Sequence, residues 1–61
     1  MRLTGEDIRA ARETANLSQD ELATILGVSL RSVQGWESGR VPQPKHRREL
    51  AAWIASLKVS A

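Results

Sequence analysis

The sequence contains no cysteine, no phenylalanine and no tyrosine among its 61 residues, and it has only two tryptophans. Without cysteine the chain can form neither a disulfide framework nor a cysteine-based zinc site, and this composition is consistent with a reduced, cytoplasmic compartment. A hydrophobic core must therefore be built from aliphatic side chains and the tryptophans. At this length the chain lies near the lower limit for folding without crosslinks, and we expect residues 1–61 to form a single domain.

The sequence also lacks an apolar run of the roughly 20 residues that a membrane-spanning helix requires. Its first residues include Glu6 and Asp7, which argues against a signal peptide. No glycine-rich phosphate loop, catalytic triad or carboxylate pair is visible, and a single histidine, His46, does not make an ordinary zinc site without cysteine. We therefore predict a protein that is not an enzyme, with no cofactor, no metal, no small-molecule substrate and no membrane contact.

The charges are distributed unevenly along the chain. Through Leu30 there are three basic and five acidic residues, whereas from Arg31 onward there are six basic and two acidic residues. The first part therefore has a net charge of −2 and the second a net charge of +4. A polyanion would approach the second part, although an ordinary solvated surface explains the same pattern equally well.

The spacing of apolar residues and of helix start and stop signals predicts an all-α fold. Thr4, with Asp7 three positions later, marks the start of a first helix that runs to about Ala15. A last helix begins at Pro44, because a missing N–H is tolerated in the first turn, and it continues to Leu57 or Lys58. No strand pattern is visible, and we expect four helices, or five if one of them is broken.

Two further start signals occur close together in the middle of the chain. Ser18, with Glu21 three positions later, forms a capping box, and Ser29 is a second cap candidate. Gly27 lies between them and ends the first helix, because glycine adopts the left-handed conformation at little cost. The pattern predicts two short helices joined by a tight turn, which is the geometry of a helix-turn-helix.

This part of the chain resembles the DNA-binding domains of phage repressors and Cro proteins, the XRE-type family. The resemblance rests on many positions that agree together: Ser18, Gln19, Glu21, Leu22, Ala23, Leu26, Gly27, Val28, Ser29, Val33, Trp36, Glu37 and Gly39. It extends from about Ile8 to Leu50, with the helix-turn-helix core at about 18–38. It implies a compact four- to five-helix fold whose recognition helix, about 29–38, enters the major groove of DNA.

The resemblance implies that base edges are read by five residues of the recognition helix: Ser29, Leu30, Arg31, Ser32 and Gln34. Arg31 is the strongest candidate because its guanidinium matches O6 and N7 of guanine, the alternative being contact with phosphate or solvent. Leu30 either presses on a thymine methyl or is a scattered surface leucine. Members of the family often read a base from the position that Gly35 occupies, so one reader is missing here. Gln34 either compensates for it or contacts phosphate instead.

The resemblance also implies contacts with the sugar-phosphate backbone. Gln19 matches a backbone-binding position at the start of a helix, where free N–H groups favour phosphate, although it could equally be an ordinary first-turn residue. Arg40, Gln43 and Lys45 resemble a second backbone clamp after the recognition helix. Pro42 replaces what is often a basic residue there, and this substitution weakens the clamp.

Two further sets of residues have expected roles within or between copies of the protein. Arg12 and Glu37 fall on positions where the family often carries an internal ion pair, and we assign them a structural role. The last helix offers more apolar surface than one core face needs, so Trp53, Ile54 and Leu57 are predicted to contact a second copy. The alternative is that Trp53 closes the core over the first helix.

We therefore predict a sequence-specific transcriptional regulator of the phage repressor or Cro type that binds double-stranded DNA in the cytoplasm, at the nucleoid. It would bind a near-palindromic operator as a dimer that is weak in solution or forms on DNA. An alternative is a protein-interaction module on the same fold, such as an antitoxin or adaptor, with DNA binding secondary. The modest, mixed charge disfavours a nonspecific nucleic-acid-binding protein.

Overall fold

The computed structural model describes residues 3–58 of the chain. They form four helices, α1 (Gly5–Thr14), α2 (Gln19–Leu26), α3 (Leu30–Glu37) and α4 (Pro44–Lys58). Within this range there is no strand and no broken helix, so the predicted all-α fold is confirmed with four helices rather than five. None of these helices is long and apolar enough to cross a membrane.

Local hydrogen bonds determine where the first three helices begin. The backbone N–H of Glu21 donates to Ser18 Oγ at 3.0 Å, and the Ser18 N–H donates to the Glu21 carboxylate at 2.7 Å. Thr4 and Asp7 form the same reciprocal capping box at α1, and Ser29 caps α3. These side chains satisfy backbone N–H groups that have no partner within the helix, so each predicted start is confirmed.

The same three helices end in a common motif around a residue with positive φ. These residues are Asn16, Gly27 and Gly39, with φ angles of 60°, 70° and 115°. In each case the N–H of the next residue donates to the carbonyl five positions earlier, at distances of 3.0, 3.0 and 2.9 Å. This is the hydrogen bond of a Schellman motif, in which glycine, and less often asparagine, occupies the left-handed position. The predicted stop at Gly27 is confirmed.

The core lies where α3 packs against α1 and α2, and where α4 packs against α1. It consists of a small group of buried apolar residues: Ile8, Leu22, Ala23, Val33, Trp36 and Leu50. Leu26 is only partly buried and packs at the edge of this group, together with Leu3, Val28 and Trp53. With so few fully buried side chains, the domain has little hydrophobic stabilisation to spare.

Gly5 allows α1 to approach the end of α3 closely, a feature that the sequence pattern did not indicate. A Cβ at Gly5 would lie 2.5 Å from the carbonyl oxygen of Trp36 and 3.0 Å from that of Glu37. These are backbone atoms that cannot rotate away. Glycine is therefore required at the start of α1, and this contact determines where α1 lies relative to the C-terminal end of α3.

Candidate functional site

The exposed face of α3 carries three of the predicted base-reading residues. Val33 and Trp36 are buried, whereas Leu30, Arg31 and Gln34 are exposed. Because an α-helix turns once in about 3.6 residues, burial of the first pair directs the other three away from the core. The structure therefore brings these side chains together on one solvent-facing surface.

The two serines of this set take part in the cap of α3. Ser29 Oγ accepts a hydrogen bond from the Ser32 N–H at 3.1 Å and lies 3.0 Å from Ser32 Oγ. A hydroxyl group has one donor and two acceptor positions, so each serine keeps some capacity for a ligand. Their first role is to hold the beginning of the helix, and contact with a ligand would be additional.

Three large apolar side chains among residues 3–58 are exposed, namely Ile25, Leu30 and Val41, with exposed fractions of 54 %, 38 % and 71 %. Single exposed apolar residues are common on protein surfaces. Leu30 differs from the others in its position, because it is the first residue of α3 and directly precedes Arg31. Its side chain therefore lies on the same exposed face of α3 as Arg31 and Gln34.

Arg12 and Glu37 form a bidentate ion pair that joins α1 to the last residue of α3. The Nε and Nη2 groups of Arg12 donate to Glu37 Oε2 and Oε1 at 2.8 and 3.2 Å. The two side chains are only 12 % and 5 % exposed. Arg12 Nη1 also donates to the carbonyl of Leu17 at 2.8 Å, which ties the α1–α2 connection to the same group.

Gln19 extends this network to α2. Its side-chain amide donates to Glu37 Oε1 at 3.1 Å, and Gln19 itself is half-buried. Burial raises the pKa of Glu37, but the hydrogen bonds from Arg12 and Gln19 and the attraction of Arg12 outweigh it and hold this pKa below its ordinary value. The hydrogen bond with Glu37 raises the pKa of Arg12. A charged carboxylate therefore links the first three helices.

The network uses only part of the hydrogen-bonding capacity of Gln19. A primary amide has two N–H donors and one acceptor oxygen, so the Glu37 contact leaves a second donor available. The contact also fixes the side chain at the N-terminal end of α2, where backbone N–H groups lack partners within the helix. The sequence pattern did not show that Gln19 is positioned by the same carboxylate as Arg12.

The segment between α3 and α4, together with the first turn of α4, carries the second set of predicted backbone contacts. Arg40, Gln43 and Lys45 are exposed, whereas Pro42 is buried and anchors the segment to the domain. Arg40 and Gln43 line a shallow, open depression together with Ser32, Trp36, Val41 and His46. The chain thus places this basic segment beside α3.

His46, which we considered only as a poor metal ligand, has a packing role. Its ring lies 5.5 Å from the ring of Trp36, in a tilted arrangement, and its Nδ1 is 3.0 Å from Glu49 Oε1. Among residues 3–58 there is no cluster of side chains that could hold a metal ion. The imidazole therefore connects the first turn of α4 to the buried tryptophan of α3.

The three apolar residues proposed for a contact between copies lie on the second half of α4. Trp53, Ile54 and Leu57 are all half-buried. Trp53 packs against the core, so it closes the core and also keeps part of its surface accessible.

The chain is similar to known proteins over most of its length. A family model described as helix-turn-helix matches residues 8–52. Over 37 residues the chain is 49 % identical to a protein of Methanocella arvoryzae whose name assigns it to the HTH-type transcriptional regulatory proteins. That match covers 61 % of this chain but only 11 % of the relative's length. No solved structure matches the chain.

Proposed function

This chain belongs to the helix-turn-helix family, and we propose that it binds double-stranded DNA with sequence specificity as part of transcriptional regulation, in the manner of phage repressors and Cro. The family match and the relative's name both support a DNA-binding regulator. The observation that carries the proposal is the exposed face of α3, where Arg31 and Gln34 project from a helix held by its buried opposite side. A helix presented in this way fits the major groove.

In this proposal Arg31 makes the principal base contact. It is exposed, and within residues 3–58 no side chain accepts a hydrogen bond from its guanidinium. A bidentate contact with O6 and N7 of guanine would contribute about 1–3 kcal/mol of discrimination. Leu30 contacts a thymine methyl on one side of Arg31, and Ser29, Ser32 and Gln34 make further polar contacts with the bases or the adjoining backbone.

Gln19, Gln43 and Lys45 are proposed to contact phosphates on either side of the groove. The network with Glu37 fixes the Gln19 amide, which has a donor left for phosphate oxygen. Lys45 lies in the first turn of α4, where its charge and the backbone N–H groups favour an anion. Contacts of this kind orient the protein on DNA but carry no sequence information.

We also propose that the protein acts on DNA as a dimer, through Trp53, Ile54 and Leu57 of α4. One recognition helix offers few base contacts, and two copies related by a twofold axis would double them. Half-site centres would then lie about 34 Å apart on a near-palindromic operator. Sedimentation with and without operator would test this, because Trp53→Ala should weaken the complex of two copies if the variant still folds. Unchanged stoichiometry and affinity would exclude Trp53 from the contact.

Selection of bound DNA from a random pool, followed by binding curves on every single-base variant, tests the main proposal. Arg31→Ala should lose discrimination at one G·C pair while weak, salt-dependent binding persists. The control is Arg9→Ala, which removes an exposed arginine of α1. Equal loss on all sequences would make Arg31 a phosphate contact. If the wild-type protein selects no site and its binding does not depend on salt, the protein-interaction alternative is favoured.

The salt dependence of binding separates the two classes of contact. Lys45→Ala should weaken binding to all sequences alike and reduce the slope of log K against log salt by about one unit. Gln19→Ala should also weaken binding uniformly but leave the slope nearly unchanged, because glutamine carries no charge. An unchanged slope for Lys45→Ala would remove this lysine from the interface.

A further inference from the structure

Gly35 leaves a gap on the surface of α3 that faces away from the core. It lies four residues after Arg31, one turn further along the same side of the helix. With glycine at this position, the helix has no side chain one turn after Arg31. The nearest side chain able to fill the gap comes from outside the helix.

Arg40 occupies the space beside this gap. If Gly35 carried a Cβ, that atom would lie 3.6 Å from Arg40 Cδ, 3.8 Å from its Nε and 3.9 Å from its Cβ. The backbone holds Arg40 there, because its N–H donates to the Gly35 carbonyl at 2.9 Å in the motif that ends α3. Gly39 directly precedes Arg40, and with its φ of 115° the chain turns back over α3.

The guanidinium of Arg40 is available to a ligand. Arg40 is exposed, and no side chain among residues 3–58 accepts a hydrogen bond from it. By contrast, the guanidinium of Arg12 donates hydrogen bonds to the Glu37 carboxylate and to the Leu17 carbonyl. The backbone hydrogen bond to Gly35 thus places the Arg40 stem beside the vacant position, and its charged guanidinium lies next to the surface on which Arg31 projects.

We propose that Arg40 reads a base in place of the side chain that α3 lacks at position 35, instead of serving only as a phosphate contact. The inference rests on the proposed DNA-binding function and adds a second specificity-determining arginine to it. A guanidinium matches the O6 and N7 atoms of guanine, so the target is a G·C pair. One helical turn is about 5.4 Å and base pairs are about 3.4 Å apart, which places this pair one or two steps from the pair that Arg31 contacts.

The decisive variant is Arg40→Lys, which keeps the positive charge but loses the planar fork. It should be compared with the wild type on all single-base variants of the selected site. We expect a preference of about 5- to 150-fold at one G·C pair to fall below about threefold, with the other positions and the salt slope unchanged. Arg9→Lys is the matched control, because it makes the same change at an exposed arginine of α1.

Substitutions at Gly35 test the same arrangement from the other side. Gly35→Ala adds a Cβ at ordinary contact distance from Arg40 and should keep all preferences. Gly35→Gln places a long side chain where the Arg40 stem lies, so it should remove the preference at the same G·C pair as Arg40→Lys. Helix content and melting temperature, measured by circular dichroism, establish that each variant is folded.

Three results would overturn the inference. If Arg40→Lys left every base preference unchanged, or lost affinity equally on all sequences, Arg40 would not be a reader, and equal loss would make it a phosphate contact. A wild-type protein that selects no DNA site would overturn the proposed function, and the inference with it. The wild-type selection therefore separates the two kinds of failure.

Discussion

Removal of Arg12 is the most informative perturbation of the fold. The Arg12→Met variant keeps much of the side-chain volume but deletes the two hydrogen bonds to Glu37 and the one to the Leu17 carbonyl. The remaining carboxylate, in a side chain that is only 5 % exposed, would keep Gln19 as its side-chain donor. A shielded charge would thus lose its counter-ion while water could not fully replace it.

The expected loss is large for a domain of this size. Breaking a buried ion pair by removing one partner costs about 3–5 kcal/mol. Stabilities of roughly 0.05–0.15 kcal/mol per residue correspond to about 3–9 kcal/mol for the whole chain. The single substitution could therefore unfold a considerable fraction of the molecules at room temperature.

Urea unfolding followed by tryptophan fluorescence measures this loss for Arg12→Met, Glu37→Gln and the double variant. Because each single change strands the other partner, the double variant should lose at least about 1 kcal/mol less than the sum of the two. The control is Arg9→Met, which removes an ion pair with Glu13 whose side chains are 64 % and 63 % exposed. It should cost less than about 1 kcal/mol. Additive losses within about 0.5 kcal/mol would refute a direct interaction between Arg12 and Glu37.

Three further predictions concern stability. The native pKa of Glu37 lies below its ordinary value of 4.5, so its contribution is fully present above about that pH and is lost as the pH falls through the lowered pKa. Glu37→Gln should lack this part of the acid dependence, and parallel urea midpoints for both proteins from about pH 7 to about pH 3 would contradict the assignment. Gly35→Ala should raise the free energy of unfolding by roughly 0.5–1 kcal/mol, because glycine in a helix loses more backbone freedom on folding than alanine does. The added Cβ would lie no closer than 3.6 Å to Arg40, which is an ordinary contact distance. Gly5→Ala should lower the free energy of unfolding by about 1–3 kcal/mol, because the Cβ would meet a backbone oxygen at 2.5 Å. In thermal melts Gly35→Ala should therefore be the more stable of the two variants. A more stable Gly5→Ala would show that the close approach does not require glycine.

The helices and their ends could be predicted from the sequence because their causes act over a few residues. Ser18 and Glu21 are three positions apart and cap α2 with each other, whatever the rest of the chain does. Asn16 and Gly27 end their helices through hydrogen bonds that reach back no more than one turn and a half. The apolar spacing likewise identified most of the buried residues, since burial follows the helical period.

Contacts between residues far apart in the sequence depended on how the helices pack. The pairing of Arg12 with Glu37 was suggested by family resemblance and not by any spacing in the chain. The position of Gln19 on the same carboxylate was not foreseen at all. Neither was the need for Gly5, which exists only because α1 crosses the end of α3 at backbone contact distance.

Within the candidate site, Arg40 and Gly35 show the same difference between what the sequence predicts and what the packing of the helices decides. The sequence by itself determined that α3 lacks a side chain at position 35 and that a basic residue follows the helix. Only the tertiary structure placed the stem of Arg40 against the vacant position, because the turn at Gly39 and the hydrogen bond to the Gly35 carbonyl direct the chain back over α3. Local hydrogen bonds and helical periodicity are properties of short segments, whereas the side chains that share a surface are selected by the packing of the whole domain.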